Sequence, residues 1–374
     1  MSWRETTLGE ITDLKRGFDL PKSQRLQGDV PVYSSSGITG SNSTAAVEGP
    51  CVITGRYGTI GEVFFSGGPC WPLNTALYST EFNGNNPRFV YYLLQTIPWQ
   101  GYTTASAVPG VNRNHVNLCP VKIPDKATQD AIVEVLDSIV DKIALNNQLN
   151  DYLFELVSSV FAHRFSDNVN TTELKNVLSI STKALKPQEH ADEIWEHYSI
   201  PAFDEKHRPI FEPASGIKSN KYQIDSECIL ISKLNPSTKR IWMPCCSSNN
   251  AVCSTEFIVY RPYLKEYKSF YYAAIDSPRF TDYLLEHVSG STGSRQRAQP
   301  KDTLNYLMPN PDNEEIKDFC IFADPIYRHI QINEQQTAKL ELLRETLLPK
   351  LMSGTIDVSK VDLTQLTNNH LADC

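Results

Sequence analysis

The stretch DSIVDKIALNNQLNDYLFELVSSVFAHRFS at 137–166 returns as DPIYRHIQINEQQTAKLELLRETLLPKLMS at 324–353, at a constant offset of 187 and without a gap. Asp137 answers to Asp324, Ile139 to Ile326, Ile143 to Ile330, Asn146 to Asn333, Gln148 to Gln335, Leu153 to Leu340 and Leu156 to Leu343. A duplicated unit this long is not a solenoid repeat, so the expected product is two similar lobes related by a pseudo-twofold.

The repeat extends beyond the helix. TTLGEITDLKRG at 6–17 resembles TTELKNVLSISTKAL at 171–185, with Leu8 and Ile11 matching Leu174 and Val177. PCVITGRYG at 50–58 and ECILISKLN at 227–235 each place an apolar, β-rich run before a basic residue and a turn. STEF occurs at 79–82 and at 254–257. Then come FVYYLLQ at 89–95 or FYYAAID at 270–276, a loop reading ASAVPGVNRNHVN or SGSTGSRQRAQPKD, and an apolar stretch closing on Pro-Asp. Short β-rich runs bounded by Gly, Pro, Asn and Ser, with a few helices, read as α+β. The expected organisation is globular domain 1–124, helix 125–166, globular domain 167–311, helix 312–357 and tail 358–374.

Within the helix, Ile139, Ile143, Asn146, Asn150, Leu153, Val157 and Val160 step alternately by four and three, the seam of a coiled coil. The copy has Ile326, Ile330, Asn333, Thr337 and Leu340, after which Arg344 interrupts and Leu343 and Leu347 take over. Two lobes that precede their helices identically require the helices to pair antiparallel. In that pairing Asn146 and Asn333 are expected to meet and fix the register. The seam from Ile139 to Val160 spans roughly 32 Å, close to the ~34 Å of one turn of B-DNA.

The net charge of -8 argues at first against a nucleic-acid partner, but its distribution removes the objection. Residues 1–125 hold 9 Lys and Arg against 9 Asp and Glu, and residues 167–311 hold 17 against 17, so the acidic excess sits on the repeated helices and the tail. The N-terminus lacks a signal-peptide pattern and no apolar run approaches the ~18 to 20 residues of a membrane span. A cytoplasmic protein without a membrane segment is expected. The 9 Cys form no CxxC or finger spacing, so no metal and no disulfide framework is expected.

Catalytic motifs are poorly represented. DPIY at 324–327 approaches the [DNS]PP[YFW] pattern that holds a flipped base, but Ile replaces the second Pro and the repeat partner is DSIV. Pro311-Asp312 with Glu315-Ile316-Lys317 approaches PD…ExK without its spacer, and reads instead as a helix start with acids favoured by the dipole. GRYGTIG lacks nucleotide-cradle spacing. What is present is basic and polar residues on turn-rich loops: Lys15, Arg16, Arg56, Tyr57, Asn112, Arg113, Asn114 and His115 in the first lobe, and Lys233, Asn235, Lys239, Arg240, Ser291, Thr292, Arg295, Gln296, Arg297 and Lys301 in the second. Arg reads guanine O6 and N7, Asn and Gln read adenine N6 and N7, and Lys, Ser and Thr hold phosphates, so these loops suit a DNA groove.

GRYGTIGEVFF followed by WPLNTALYST, ILISKLNP at 229–236, the SGSTGSRQR loop and LLPKLMSGTIDV at 347–358, in this order, resemble the specificity (S) subunit of type I restriction-modification systems along essentially the whole chain. The resemblance implies two target-recognition domains joined by two long antiparallel coiled-coil helices, each domain binding one half of a bipartite, asymmetric double-stranded DNA site. It implies no catalysis and no cofactor on this chain. Two modification subunits carrying S-adenosylmethionine would dock on the helices to methylate adenines, and restriction subunits using ATP and Mg would translocate and cleave. The helix entries PDKATQDAI and PDNEEIKDF depart from the family's Pro-Pro…Glu-Gln pattern. The rival reading is an interaction scaffold without DNA specificity of its own.

Overall fold

The computed structural model describes residues 2–103, 110–289 and 296–361. They form two compact units, Met1–Ala144 with Ala338–Cys374, and Leu145–Thr337. Two 40-residue helices, Lys126–Phe165 and Asn313–Met352, join them. Each helix starts one residue after an Asp that follows Pro. The amide of Thr128 donates to Asp125 Oδ1 at 3.0 Å. The amide of Glu315 donates to Asp312 Oδ1 at 2.9 Å while the Asp312 amide donates back to Glu315 Oε2 at 3.3 Å. The second arrangement is a capping box, which accounts for the PD…E pattern structurally.

In the first unit the strand Trp3–Thr7 runs antiparallel to Pro120–Pro124. A four-stranded antiparallel sheet follows the order Lys15–Arg16, Ala76–Ser79, Cys51–Gly55, Val63–Ser66. Cys51–Gly55 is buried along its whole length, as a β-rich run without alternation demands. The helix Pro87–Gln95 packs on this sheet, its start fixed by Pro87 and by Asn86, whose side chain accepts from the Arg88 and Phe89 amides. A smaller sheet holds Gly37–Asn42, Val30–Ser34 and Trp71–Pro72. The core joins Leu8, Val52, Leu77, Phe89 and Leu93 to Ile132 and Leu136 of the first long helix and Leu351 of the second.

The second unit repeats the plan. Thr171–Glu173 pairs with Leu307–Pro309, and the four-stranded sheet runs Leu178–Ser181, Phe257–Pro262, Ile229–Ser232, Ile241–Trp242. The helix Lys268–Asp276 follows. A five-stranded sheet is added in the order Ala184–Leu185, Lys221–Gln223, Ala251–Ser254, Ile194–Tyr198, Ile210–Pro213. Phe161, Phe165, Phe270 and Phe319 meet at centroid distances of 5.2 to 5.9 Å, mostly edge to face, and anchor the unit to both long helices.

Two sequence expectations are corrected here. The two STEF segments are not equivalent: in the first unit STEF begins at Ser79, the last residue of the strand Ala76–Ser79, whereas in the second it leads into Phe257–Pro262, the strand in the corresponding sheet position. The match is a coincidence of four common residues. Asn146 and Asn333 also do not bond to each other. Asn146 Nδ2 donates to Gln336 Oε1 at 2.7 Å and lies 3.4 Å from Thr337 Oγ1, while Asn333 Nδ2 donates to Asn150 Oδ1 at 2.8 Å. The pairing is antiparallel, but its centre falls between Asn146 and Asn150, so each Asn meets a residue one step further along the partner helix.

The repeated aspartates have one job in both units. Asp137 accepts from Arg88 Nη2 at 2.5 Å and Nε at 3.1 Å, and from Tyr92 Oη at 2.5 Å. Asp324 accepts from Ser269 Oγ. Arg88 and Ser269 occupy the same place in the helices Pro87–Gln95 and Lys268–Asp276, so each Asp ties a domain helix to a long helix. This absorbs the DPIY segment, whose Tyr327 is buried in the core.

Candidate nucleic-acid interface

In the first unit Arg56 directly follows the strand Cys51–Gly55. Its amide donates to Thr75 O at 2.9 Å, and its carbonyl accepts from the Val111 amide at 2.9 Å. Tyr57 pairs with Gly110 across the same junction. Both flanking glycines are required sterically: a Cβ on Gly55 would stand 1.7 Å from Thr59 O, and one on Gly110 would stand 2.3 Å from the Tyr57 ring. The Arg56 guanidinium lies 4.6 Å from the Tyr57 ring centroid, a stack that keeps the fork extended. Arg16, Arg56, Tyr57, Asn112 and Arg113 thus line one open groove of about 420 Å³, with Leu77 at its floor.

Not every first-lobe expectation reaches this groove. Lys15 Nζ forms an ion pair with Glu81 Oε1 at 2.5 Å, and that hydrogen bond holds its pKa above the ordinary lysine value. Asn112 Oδ1 accepts from the Asn114 amide at 3.0 Å, capping the turn Arg113–Val116, and the residue lines the groove.

The second unit builds the same clamp. The Lys233 amide donates to Glu256 O and its carbonyl accepts from the Ala298 amide, both at 2.9 Å, and Leu234 pairs with Arg297. Lys233 therefore stands where Arg56 stands. Asn235, at φ 48°, donates its amide to Gln296 O at 2.9 Å. Three of the cations named from sequence are matched by local carboxylates. Lys239 pairs with Asp276 at 2.6 Å, Arg240 with both Asp204 oxygens at 2.6 and 2.8 Å, and Arg297 with Glu256 at 3.1 Å. Lys301 is exposed on the turn Pro300–Thr303. Ser291, Thr292 and Arg295 lie outside the described residues.

Sequence reasoning missed a second cleft in this unit. About 510 Å³ in volume, it is lined by Ser181, Lys183, Gln223, Asp225, Asn249 and Arg261, among others. Burial pushes the Asp225 carboxyl up, but hydrogen bonds from Arg261 and the Glu227 amide outweigh it and hold the group below the ordinary carboxylate range. These residues come from four separate segments and carry no common motif, so no linear signal could have assembled them.

On the first long helix, Leu145, Leu149, Tyr152 and Leu156 are exposed by 56, 36, 59 and 46% and step by four, three and four, which places them in one row. Among the described residues no group of three or more His, Cys, Asp or Glu could hold a metal ion, and no helix is long and apolar enough to cross a membrane.

Residues 1–153 match the model of the type I restriction modification DNA specificity domain. A curated relative, the type I restriction enzyme HindI specificity subunit of Haemophilus influenzae, is 25% identical over 44% of this chain. That match spans 41% of the relative's length. Among solved structures, the type I restriction-modification S subunit from M. genitalium aligns over 94% of this chain and 96% of its own, with a TM-score of 0.62 at 15% identity, a likeness of fold. Residues 1–153 are thus similar to the type I restriction modification DNA specificity domain, and the chain shares the fold of a solved type I restriction-modification S subunit along its length.

Proposed function

We propose that this chain is the sequence-reading subunit of a type I restriction-modification complex, with one domain for each half of a bipartite, asymmetric DNA site. The observation that carries the reading is the repeated clamp. Arg56 and Lys233 are presented at equivalent points of corresponding sheets, one in each unit, while their neighbours differ between the units. Equivalent cations serve a phosphate backbone common to any sequence, and unlike neighbours serve unlike base pairs. The long helices act as the spacer between half-sites and as the platform for two modification subunits, and the exposed row Leu145, Leu149, Tyr152 and Leu156 supports the second role. Methyl transfer from S-adenosylmethionine then belongs to the modification subunits, and ATP- and Mg-dependent translocation and cleavage to restriction subunits. This chain takes no chemical step in the reading, and it acts in the cytoplasm.

The test is selection of bound sequences from a randomised duplex pool by the full-length chain together with its modification subunit. Enrichment of two short elements separated by a fixed gap is expected. A complex that assembles but enriches nothing would leave the scaffold alternative standing.

A further inference from the structure

We propose that the cleft around Arg261 in the second unit reads base-pair edges, with Arg261, Gln223 and Asn249 as the reading side chains and Lys183 on the adjoining phosphate. The inference rests on the DNA-recognition reading above and names the surface that performs it in this unit.

The first argument is chemical. The cleft brings together Arg, Gln and Asn, the three side chains whose planar donor and acceptor groups match purine edges in the major groove, with Ser181, Ser226 and Ser248 beside them. Ile224 and Cys246 are the apolar members of the lining, so a greasy small molecule finds little to bury against. The second argument is electrostatic. Arg261 Nη1 bonds Asp225 Oδ2 at 2.8 Å. A carboxylate beside the guanidinium repels a phosphate and orients the fork, which favours a neutral base edge as its target. Lys183 is exposed on the rim, where a backbone phosphate would pass. Arg240 is also paired with a carboxylate, but its side chain is 11% exposed against 34% for Arg261.

The third argument is that one wall is held rigid. Glu196 is 1% exposed, and its carboxylate accepts from Tyr198 Oη at 2.9 Å, the Ser248 amide at 2.8 Å, and the Ser247 amide and hydroxyl at 3.2 Å each. A buried carboxylate is tolerable only when so fully bonded. Here the bonds fix the backbone of residues 246–248, where Tyr198 Oη also accepts from the Cys246 amide at 3.2 Å, immediately before Asn249. A surface whose reading group follows a locked segment loses little entropy on binding.

The experiment compares the wild-type chain with Arg261→Lys, Asn249→Ala and Lys183→Ala, each full-length with the modification subunit, by sequence selection and by affinity at several salt concentrations. Arg261→Lys keeps the charge and the Asp225 partner, and Asn249→Ala changes an exposed loop, so a folding defect in one leaves the other informative. Each is expected to relax preference at one base pair of one half-site by about 5- to 150-fold and to leave the other half-site unchanged. Lys183→Ala is expected to weaken all sequences alike and to reduce the salt slope by about 1. Unchanged preference in both reading variants, measured against a selective wild type, overturns this assignment alone. A wild-type complex without any preferred sequence overturns the recognition reading, and this assignment with it.

Discussion

Asn333 donates its side-chain amide to the side-chain oxygen of Asn150 at 2.8 Å, with both residues buried between the two long helices at 5 and 8% exposure. Removing one partner strands the other, so Asn333→Leu is expected to cost about 1 to 3 kcal/mol. The double replacement Asn150→Leu with Asn333→Leu should recover most of that loss, because an apolar pair leaves nothing unsatisfied. Denaturant unfolding of the two singles and the double decides it, and additive losses would refute the coupling.

The two aspartate anchors should differ in strength. Asp137 serves Arg88 and Tyr92, and Arg88 is only 27% exposed in its side chain, whereas Asp324 serves a serine hydroxyl. Asp137→Ala should therefore destabilise the first unit by about 2 to 4 kcal/mol, and Asp324→Ala the second by about 1. Hydrogen exchange along the helices Pro87–Gln95 and Lys268–Asp276 reads each unit separately.

His197 supplies a pH dependence. Burial lowers its pKa below 6.5, outweighing the hydrogen bond to Glu212 at 2.7 Å, and nearby Lys221 lowers it further. The folded state therefore binds this proton less readily than the unfolded chain, and stability rises with pH across the window. The contribution is complete above 6.5 and is lost as the pH falls through the folded value. Thermal melts from pH 7.5 to 5 should show a steeper acid loss for the wild type than for His197→Gln; parallel curves would contradict this.

Arg56 and Lys233 should each hold the backbone of one half-site. As a phosphate contact in the first half, Arg56→Ala is expected to weaken binding of all sequences alike and to lower the salt slope by about 1, with Lys233→Ala doing the same through the second half. Arg240→Ala should leave DNA affinity within twofold, because its side chain is 11% exposed and both its bonds go to Asp204. Affinities at several salt concentrations, on preferred and scrambled oligonucleotides, check these outcomes.

The exposed row on the first long helix makes a partner prediction. Leu149→Glu with Tyr152→Glu should leave the melting temperature within a few degrees, since both side chains face solvent. Capture of the modification subunit should fall more than tenfold on size-exclusion analysis. Full retention of the subunit would place its docking surface elsewhere.

The duplication, the two long helices, their antiparallel direction and the β-rich blocks were all legible in the sequence. Each rests on local periodicity or on self-similarity at one offset, and a repeated helix that follows a repeated lobe has few ways to pack. The Arg56 turn was legible too, because a buried strand ending in glycine before a basic residue is a local pattern.

What only the tertiary structure decided is register and company. The helix crossing falls between Asn146 and Asn150, so the buried amides bond Gln336 and Asn150 instead of each other. STEF sits in two different sheet positions despite identical letters. Lys239, Arg240 and Arg297 read as available cations in sequence, but folding brings Asp276, Asp204 and Glu256 to them from 36 to 41 residues away. Arg261, Gln223 and Asn249 share a cleft only once two strands and a loop converge. Sequence specifies which groups a segment can present, because propensity and hydrophobic pattern act over a few residues. Which of those groups remain available to a partner is set by long-range contacts, whose energies depend on distances that no linear pattern encodes.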